Sequence, residues 1–145
     1  MQNTSLPAWV GPYIGARYRE DARSGSIETG FNCWGLFAHV RREVFGSSID
    51  DYEGPLWTGK QSAAAMGEAA AAFAQRFTEI EPGQEREGDA ILLRMRGLPI
   101  HIGIVAAPGV MLHVEEGCDA VTERYRVGVW ERRVIGFYRD EARAA

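Results

Sequence analysis

Apolar positions along the chain change their period, and the changes predict its elements. Leu36, Phe37, Val40 and Val44 recur at the spacing of one helix face and stop short of Gly46, so a helix is expected to end there. Asn32 suits its N-cap, because the side-chain oxygen can accept one of the backbone N–H groups that a first turn leaves without a partner. That reading puts Cys33 in the first turn. Ahead of it, residues 19–30 are polar and hold Gly25 and Gly30, the composition of a surface loop. After a loop over 47–58, alanine dominates from about Gly59 to Phe77, and the helix propensity of Ala predicts a second helix there, a packing element without chemistry of its own. Pro82, Gly83 and Gly88 then break the pattern over 81–89.

Beyond that break the chain is strand-like. Residues 90–95, 100–106, 110–114, 120–126 and 134–139 are short β-branched or aromatic-rich runs. Gly97-Leu98-Pro99, Pro108-Gly109 and Gly117-Cys118-Asp119 read as the turns between them. Links this short join antiparallel neighbours, since parallel strands need a crossover of about a dozen residues or more. Helices first and a meander of strands afterwards is an α+β layout. The whole chain, 1–145, is about one domain long on a prior of roughly 150 residues, and a single domain is expected.

Composition narrows the function classes. The 46% hydrophobic and 25% charged fractions belong to an ordinary globule and exclude a disordered or fibrous chain. No apolar run approaches the roughly 18 residues of a membrane span, so membrane insertion is not expected. Sixteen basic and 20 acidic residues are mixed along the chain without a basic tract, which argues against a nucleic-acid partner. The first residues lack the basic and apolar regions of a secretory signal, so synthesis in the cytoplasm is expected. Cys33 and Cys118, in unlike settings, make no disulfide framework.

Candidate chemistry centres on Cys33. A thiol at a helix N-terminus lies beside unpaired N–H groups and the positive end of the macrodipole, both of which favour the nucleophilic thiolate. The competing reading is a buried structural cysteine. Among the histidines, His101 alternates with Ile100, Ile102 and Ile104 and so points to the other face of its strand, with Gly103 expected to leave space beside the ring. A hairpin at Pro108-Gly109 can bring His113 alongside, an arrangement that suits a base and the group orienting it. His39 reads as an ordinary helix residue. Zinc is the rival for Cys33, His101 and His113, but no CxxC or HxxxH spacing supports it.

These residues carry a resemblance. Gly30-Phe31-Asn32-Cys33-Trp34-Gly35-Leu36 resembles the nucleophile motif of NlpC-type cysteine peptidases, usually Gly-Phe-Asp-Cys-Ser-Gly-Leu, and the Trp after the Cys is similar to the phage-tail branch. Ile14-Gly15-Ala16-Arg17-Tyr18 resembles the upstream Ile-Gly-x-Pro-Tyr segment, and Glu87-Gly88-Asp89 the Pro-Gly-Asp that leads into the first strand. His101-Ile102-Gly103-Ile104 and Leu112-His113 match the family's His-Val-Gly-Ile and Ile-His strands, and Ile135-Gly136-Phe137-Tyr138-Arg139 resembles the closing strand of phage and gene-transfer-agent members. The likeness spans nearly the whole chain in the right order.

The resemblance implies an α+β, minimal papain-like fold with Cys33 as nucleophile, His101 as general base, His113 as its orienter and Tyr18 near the nucleophile, without metal or cofactor. Tyr13 is the alternative to Tyr18. It further implies hydrolysis of the peptide stem of bacterial peptidoglycan, commonly between D-Glu and diaminopimelate, through an acyl-enzyme. The phage-like features imply a particle tail with other tail proteins as partners, delivered to act in the periplasm or cell wall. A structural tail component of the same fold is the alternative; an amidase or acyltransferase is another, although permuted lipid acyltransferases place His before Cys. The sequence departs from the family pattern at Asn32 for Asp, at Arg17 for Pro, and at Arg19-Glu20-Asp21 where Gly-Gly usually follows the tyrosine.

Overall fold

In the computed structural model, which describes residues 5–19, 25–47, 77–95 and 98–140, Asn32 opens helix α1 (Cys33–Glu43). Its backbone is extended, and its side-chain oxygen accepts the Gly35 N–H at 2.7 Å. The cap is itself fully buried. Arg41 and Arg42 lie in the last turn, where cations complement the negative end of the helix dipole.

Six strands follow: β1 (Phe77–Ile80), β2 (Ala90–Met95), β3 (Leu98–Ala107), β4 (Val110–Glu115), β5 (Cys118–Arg124) and β6 (Val134–Asp140), with a short helix α2 (Gly128–Glu131) before β6. They form one sheet in the order β1-β6-β2-β3-β4-β5, antiparallel throughout. β2 to β5 are thus the expected meander, while β6 returns to pair with the other edge of β2.

Three expectations change at the boundaries. Phe77 opens β1 and pairs with Asp140 instead of ending a helix; the rest of the predicted alanine-rich helix, like most of the 47–58 loop, lies outside the described residues. Leu98 and Pro99 belong to β3, and Cys118 is the first residue of β5, paired with Glu115. Cross-strand pairing draws in residues whose local composition marks them as turn, because the ladder satisfies backbone groups that a turn leaves to water.

Both faces of the sheet are covered. On one, Leu36, Phe37 and Val40 of α1 pack against Ile102, Ile104, Leu112 and Val114. On the other, Ile91, Leu93, Val105, Met111, Tyr125 and Phe137 form a second cluster with Trp130 against it. Burial on both sides is why β3 and β4 are so continuously apolar.

The N-terminal segment crosses from the sheet edge to the helix. Gly15 donates to Ala120 at 2.9 Å and Ala120 to Ala16 at 2.8 Å, on β5. Tyr18 then forms a parallel bridge with Phe31, flanked by Phe31 N–H to Arg17 at 2.9 Å and Arg19 N–H to Phe31 at 2.8 Å. Gly30 turns the chain there with φ at +100°, and a Cβ on it would lie 2.6 Å from the Arg17 carbonyl oxygen, so both backbone and space require glycine. Among the described residues no helix is long and apolar enough to cross a membrane.

Two of the sequence motifs meet in one ion pair. Arg139 reaches both oxygens of Asp89 at 2.8 Å, while Oδ2 of Asp89 also accepts the Arg86 N–H at 2.9 Å. Asp89 is only 2% exposed, so the pair ties the head of β2 to the end of β6 from inside the protein. Arg139→Ala is expected to destabilise the fold by about 3–5 kcal/mol in urea unfolding, because it leaves a buried carboxylate without its cation. Arg139→Lys should recover only part of that, since an ammonium cannot supply two parallel N–H bonds.

Candidate active site

The capped start of α1 sets the Cys33 thiol inside the protein, 6% exposed, against strand β3. Peptide N–H groups of Ile102, Trp34 and Cys33 itself point at the sulfur and favour the thiolate. Burial opposes them and is the larger effect, with Glu115 adding like-charge repulsion, so the thiol is pushed up to about 11. The helix N-terminus favours the thiolate as the sequence suggests, but desolvation outweighs the helix end.

His101 lies across the peptide that Cys33 touches. Strand alternation sends its ring to the face opposite the isoleucines, as the sequence predicts: its cross-strand partner Leu93 lies in the second cluster, whereas Ile102 and Ile104 pack under α1. Thiol and imidazole thus flank a single peptide unit, His101–Ile102. Nε2 of His101 is 2.8 Å from Nδ1 of His113, and both rings are buried. The space beside Gly103 is not open: a Cβ there would meet Ile91 and Met111 at 3.2 and 3.3 Å. Burial, and secondarily electrostatic coupling to His113 and Arg133, pushes His101 well below the usual histidine range, so the ring rests neutral. Its Nδ1 makes no hydrogen bond among the described residues.

Two residues at the site escaped the sequence reading. Oε2 of Glu123 is 2.7 Å from Nε2 of His113, and its side chain is 35% exposed. Val121 pairs with His113 across β4 and β5, so alternation sets Glu123 on the same face; an ionisable side chain between Val121 and the buried Tyr125 was the available signal. Trp130 stacks on His101 at 6.3 Å with planes 27° apart, and meets His113 edge-on at 4.9 Å. It comes from α2, a segment with no periodic signal.

Of the tyrosines, Tyr13 is occupied elsewhere: its hydroxyl is 2.8 Å from Nδ1 of His39, two helical turns along α1. His39 is half-buried in that pair, an ordinary helix residue as expected. Tyr18, partly buried against the α1 cluster, is bridged to Phe31 two residues before Cys33. Cys118 lies apart on β5, a thiol held protonated by burial and by Glu115, Glu123 and Asp119. Among the described residues no group of three His, Cys, Asp or Glu side chains converges as a metal site; His101, His113 and Glu123 are strung end to end instead.

The NlpC/P60 family model matches residues 15–139. The chain belongs to the NlpC/P60 family. Members of this family are generally cysteine peptidases of the cell-wall type, and the chain shares an α+β papain-like fold. The crystal structure of a protein described as similar to lipoprotein, NLP/P60 family, from Staphylococcus aureus subsp. aureus Mu50 superimposes with a TM-score of 0.61 at 21% identity. That match covers 88% of this chain but 37% of the staphylococcal one, so the chain spans well under half of that relative's length. No curated protein sequence matches. Within the family match lie all four residues picked out from the sequence: Tyr18, Cys33, His101 and His113.

A thiol raised to about 11 should react with iodoacetamide about ten times faster for each pH unit between 7 and 9, without a plateau, because only the thiolate reacts. Peptide mapping separates Cys33 from Cys118. A plateau near neutrality would instead mean a preformed thiolate–imidazolium pair.

Proposed function

We propose that this NlpC/P60 domain is a cysteine peptidase that cuts the peptide stem of bacterial peptidoglycan, at a bond of the D-Glu–diaminopimelate type. Cys33 is the nucleophile, His101 the general base and acid, and His113 its orienter. The observation that carries this reading is the Cys33 sulfur at the Ile102 N–H, the peptide that follows His101, with Nε2 of His101 held by His113 and Nδ1 unbonded among the described residues.

The chemistry follows from two groups that rest neutral. As Sγ of Cys33 attacks the carbonyl carbon, its proton passes to Nδ1 of His101 in the same step. The oxyanion develops beside the N–H groups gathered at the start of α1, with the Tyr18 hydroxyl as a further donor. The C–N bond then breaks and the leaving amine takes the proton from His101, leaving a thioester. Water attacks the thioester while giving a proton to Nδ1; the sulfur departs, recovers that proton, and the carboxylic acid is released. Trp130, stacked on the imidazole, keeps water from competing for the His101–His113 bond.

The phage-like Trp34 and the Ile135 to Arg139 ending support a place in the tail of a phage or gene-transfer-agent particle, beside other tail proteins and reaching the periplasm or cell wall with it. One observation favours a second reading, a tail component with little peptidase activity: the thiol is buried and raised to about 11, where a working nucleophile gains from a lower value. Asn32 for Asp and the missing Gly-Gly point the same way.

Defined stem peptides incubated with the reduced protein and followed by mass spectrometry test the proposal. Wild type is expected to give a new pair of fragments, Cys33→Ala none, and His101→Ala at least about 1,000-fold less. If no stem peptide is cut while Cys33 remains open to alkylation, the peptidase reading is lost. Particle assembly by Cys33→Ala would then decide for the structural role.

A further inference from the structure

We infer that Glu123 is a positioning residue of this site: its carboxylate sets the proton positions on both imidazoles and so makes Nδ1 of His101 the basic nitrogen. This rests on the peptidase reading for its purpose, though not for its geometry. The argument runs along hydrogen bonds that are already in place. A carboxylate accepts and cannot donate, so at 2.7 Å from Oε2 of Glu123 the Nε2 of His113 carries the proton. A neutral imidazole with its proton on Nε2 has only a lone pair at Nδ1. The 2.8 Å contact between that Nδ1 and Nε2 of His101 therefore requires His101 to donate. His101 is then protonated at Nε2, and its own lone pair falls on Nδ1, the nitrogen without a partner among the described residues. Two hydrogen bonds, read inward from Glu123, leave one arrangement for a neutral pair.

Without Glu123 nothing in the pair chooses. Two facing imidazole nitrogens at 2.8 Å can share one proton either way, and the reversed arrangement moves the His101 proton to Nδ1, which then has no lone pair to offer a thiol. His113 is fully buried, so water does not take over the choice, whereas Glu123 sits at the outer end of the chain, 35% exposed and lining an open groove of about 1050 Å³ with Thr122, Arg124 and Trp130. The fold supplies the residue by register: Glu123 pairs with Met111 and is diagonal to His113 on one face. His113 thus orients His101 only because Glu123 first orients His113.

Long-range ¹H–¹⁵N correlation spectra of the histidine rings test this without any substrate, so the result does not depend on which bond the enzyme cuts. Wild type near pH 7.5 is expected to show both His101 and His113 in the Nε2–H form. Glu123→Leu, which offers no acceptor, should show mixed or reversed forms in both rings and cut a stem peptide about 100-fold more slowly. Glu123→Gln, whose amide oxygen can still accept, should restore the wild-type forms. Retention of both Nε2–H forms in Glu123→Leu would overturn the inference. So would an Nδ1–H form of His113 in wild type, a result that stands even if the leucine variant fails to fold.

Discussion

The seating of α1 on strands β3 and β4 is the constraint on which the site depends. Leu36, Phe37 and Val40 have one place to go, onto Ile102, Ile104, Leu112 and Val114, and the same packing fixes where the helix begins. Because Asn32 caps it, that beginning is Cys33, set against the Ile102 peptide. A slide of a single helical turn would move the sulfur by about 5.4 Å and separate it from the Ile102 peptide. Hydrophobic packing, which has no directional preference of its own, thereby fixes the place of the Cys33 thiol, through the rigidity of the two elements it joins.

The same burial decides the electrostatics. Two peptide N–H groups at a helix N-terminus and a third from β3 favour a thiolate. Inside the protein the cost of desolvating the charge is larger, and it acts on His101 in the opposite protonation sense: the thiol rises, the imidazole falls, and both rest neutral. A pair of that kind separates charge only as substrate arrives, so orientation of the proton matters more than its prior transfer. That is the role the linear run Glu123–His113–His101 fits, with Trp130 stacked over the inner bond. The NlpC/P60 family match, over residues 15–139, takes in the cysteine, both histidines and the carboxylate at the outer end.

Much of this architecture was legible before any coordinates. Asn32 as cap, the helix after it, the meander from 90 onward and the outward turn of His101 all follow from local rules: capping chemistry, a period of three to four, a period of two. Errors fell where cross-strand pairing overrode local composition. Phe77 opens a strand because Asp140 waits across from it, and Cys118 leaves its turn because Glu115 completes the ladder. Gly103 promised space that Ile91 and Met111 fill from neighbouring strands.

By itself, then, the sequence determined which residues are candidates for chemistry and which faces they occupy, since residue type, caps and periodicity are properties of short segments. Only the tertiary structure decided what those residues do to each other. The neutral state of Cys33 and His101 comes from burial that distant segments supply, and Glu123 joins His113 through a strand register that no local pattern contains. Tyr13 and Tyr18 are likewise alike in sequence and are separated only by their surroundings, one bound to His39 on α1 and the other bridged to the approach to Cys33. Desolvation and cross-strand contact depend on what surrounds a group in three dimensions, and a chain fixes that only when all of it has folded.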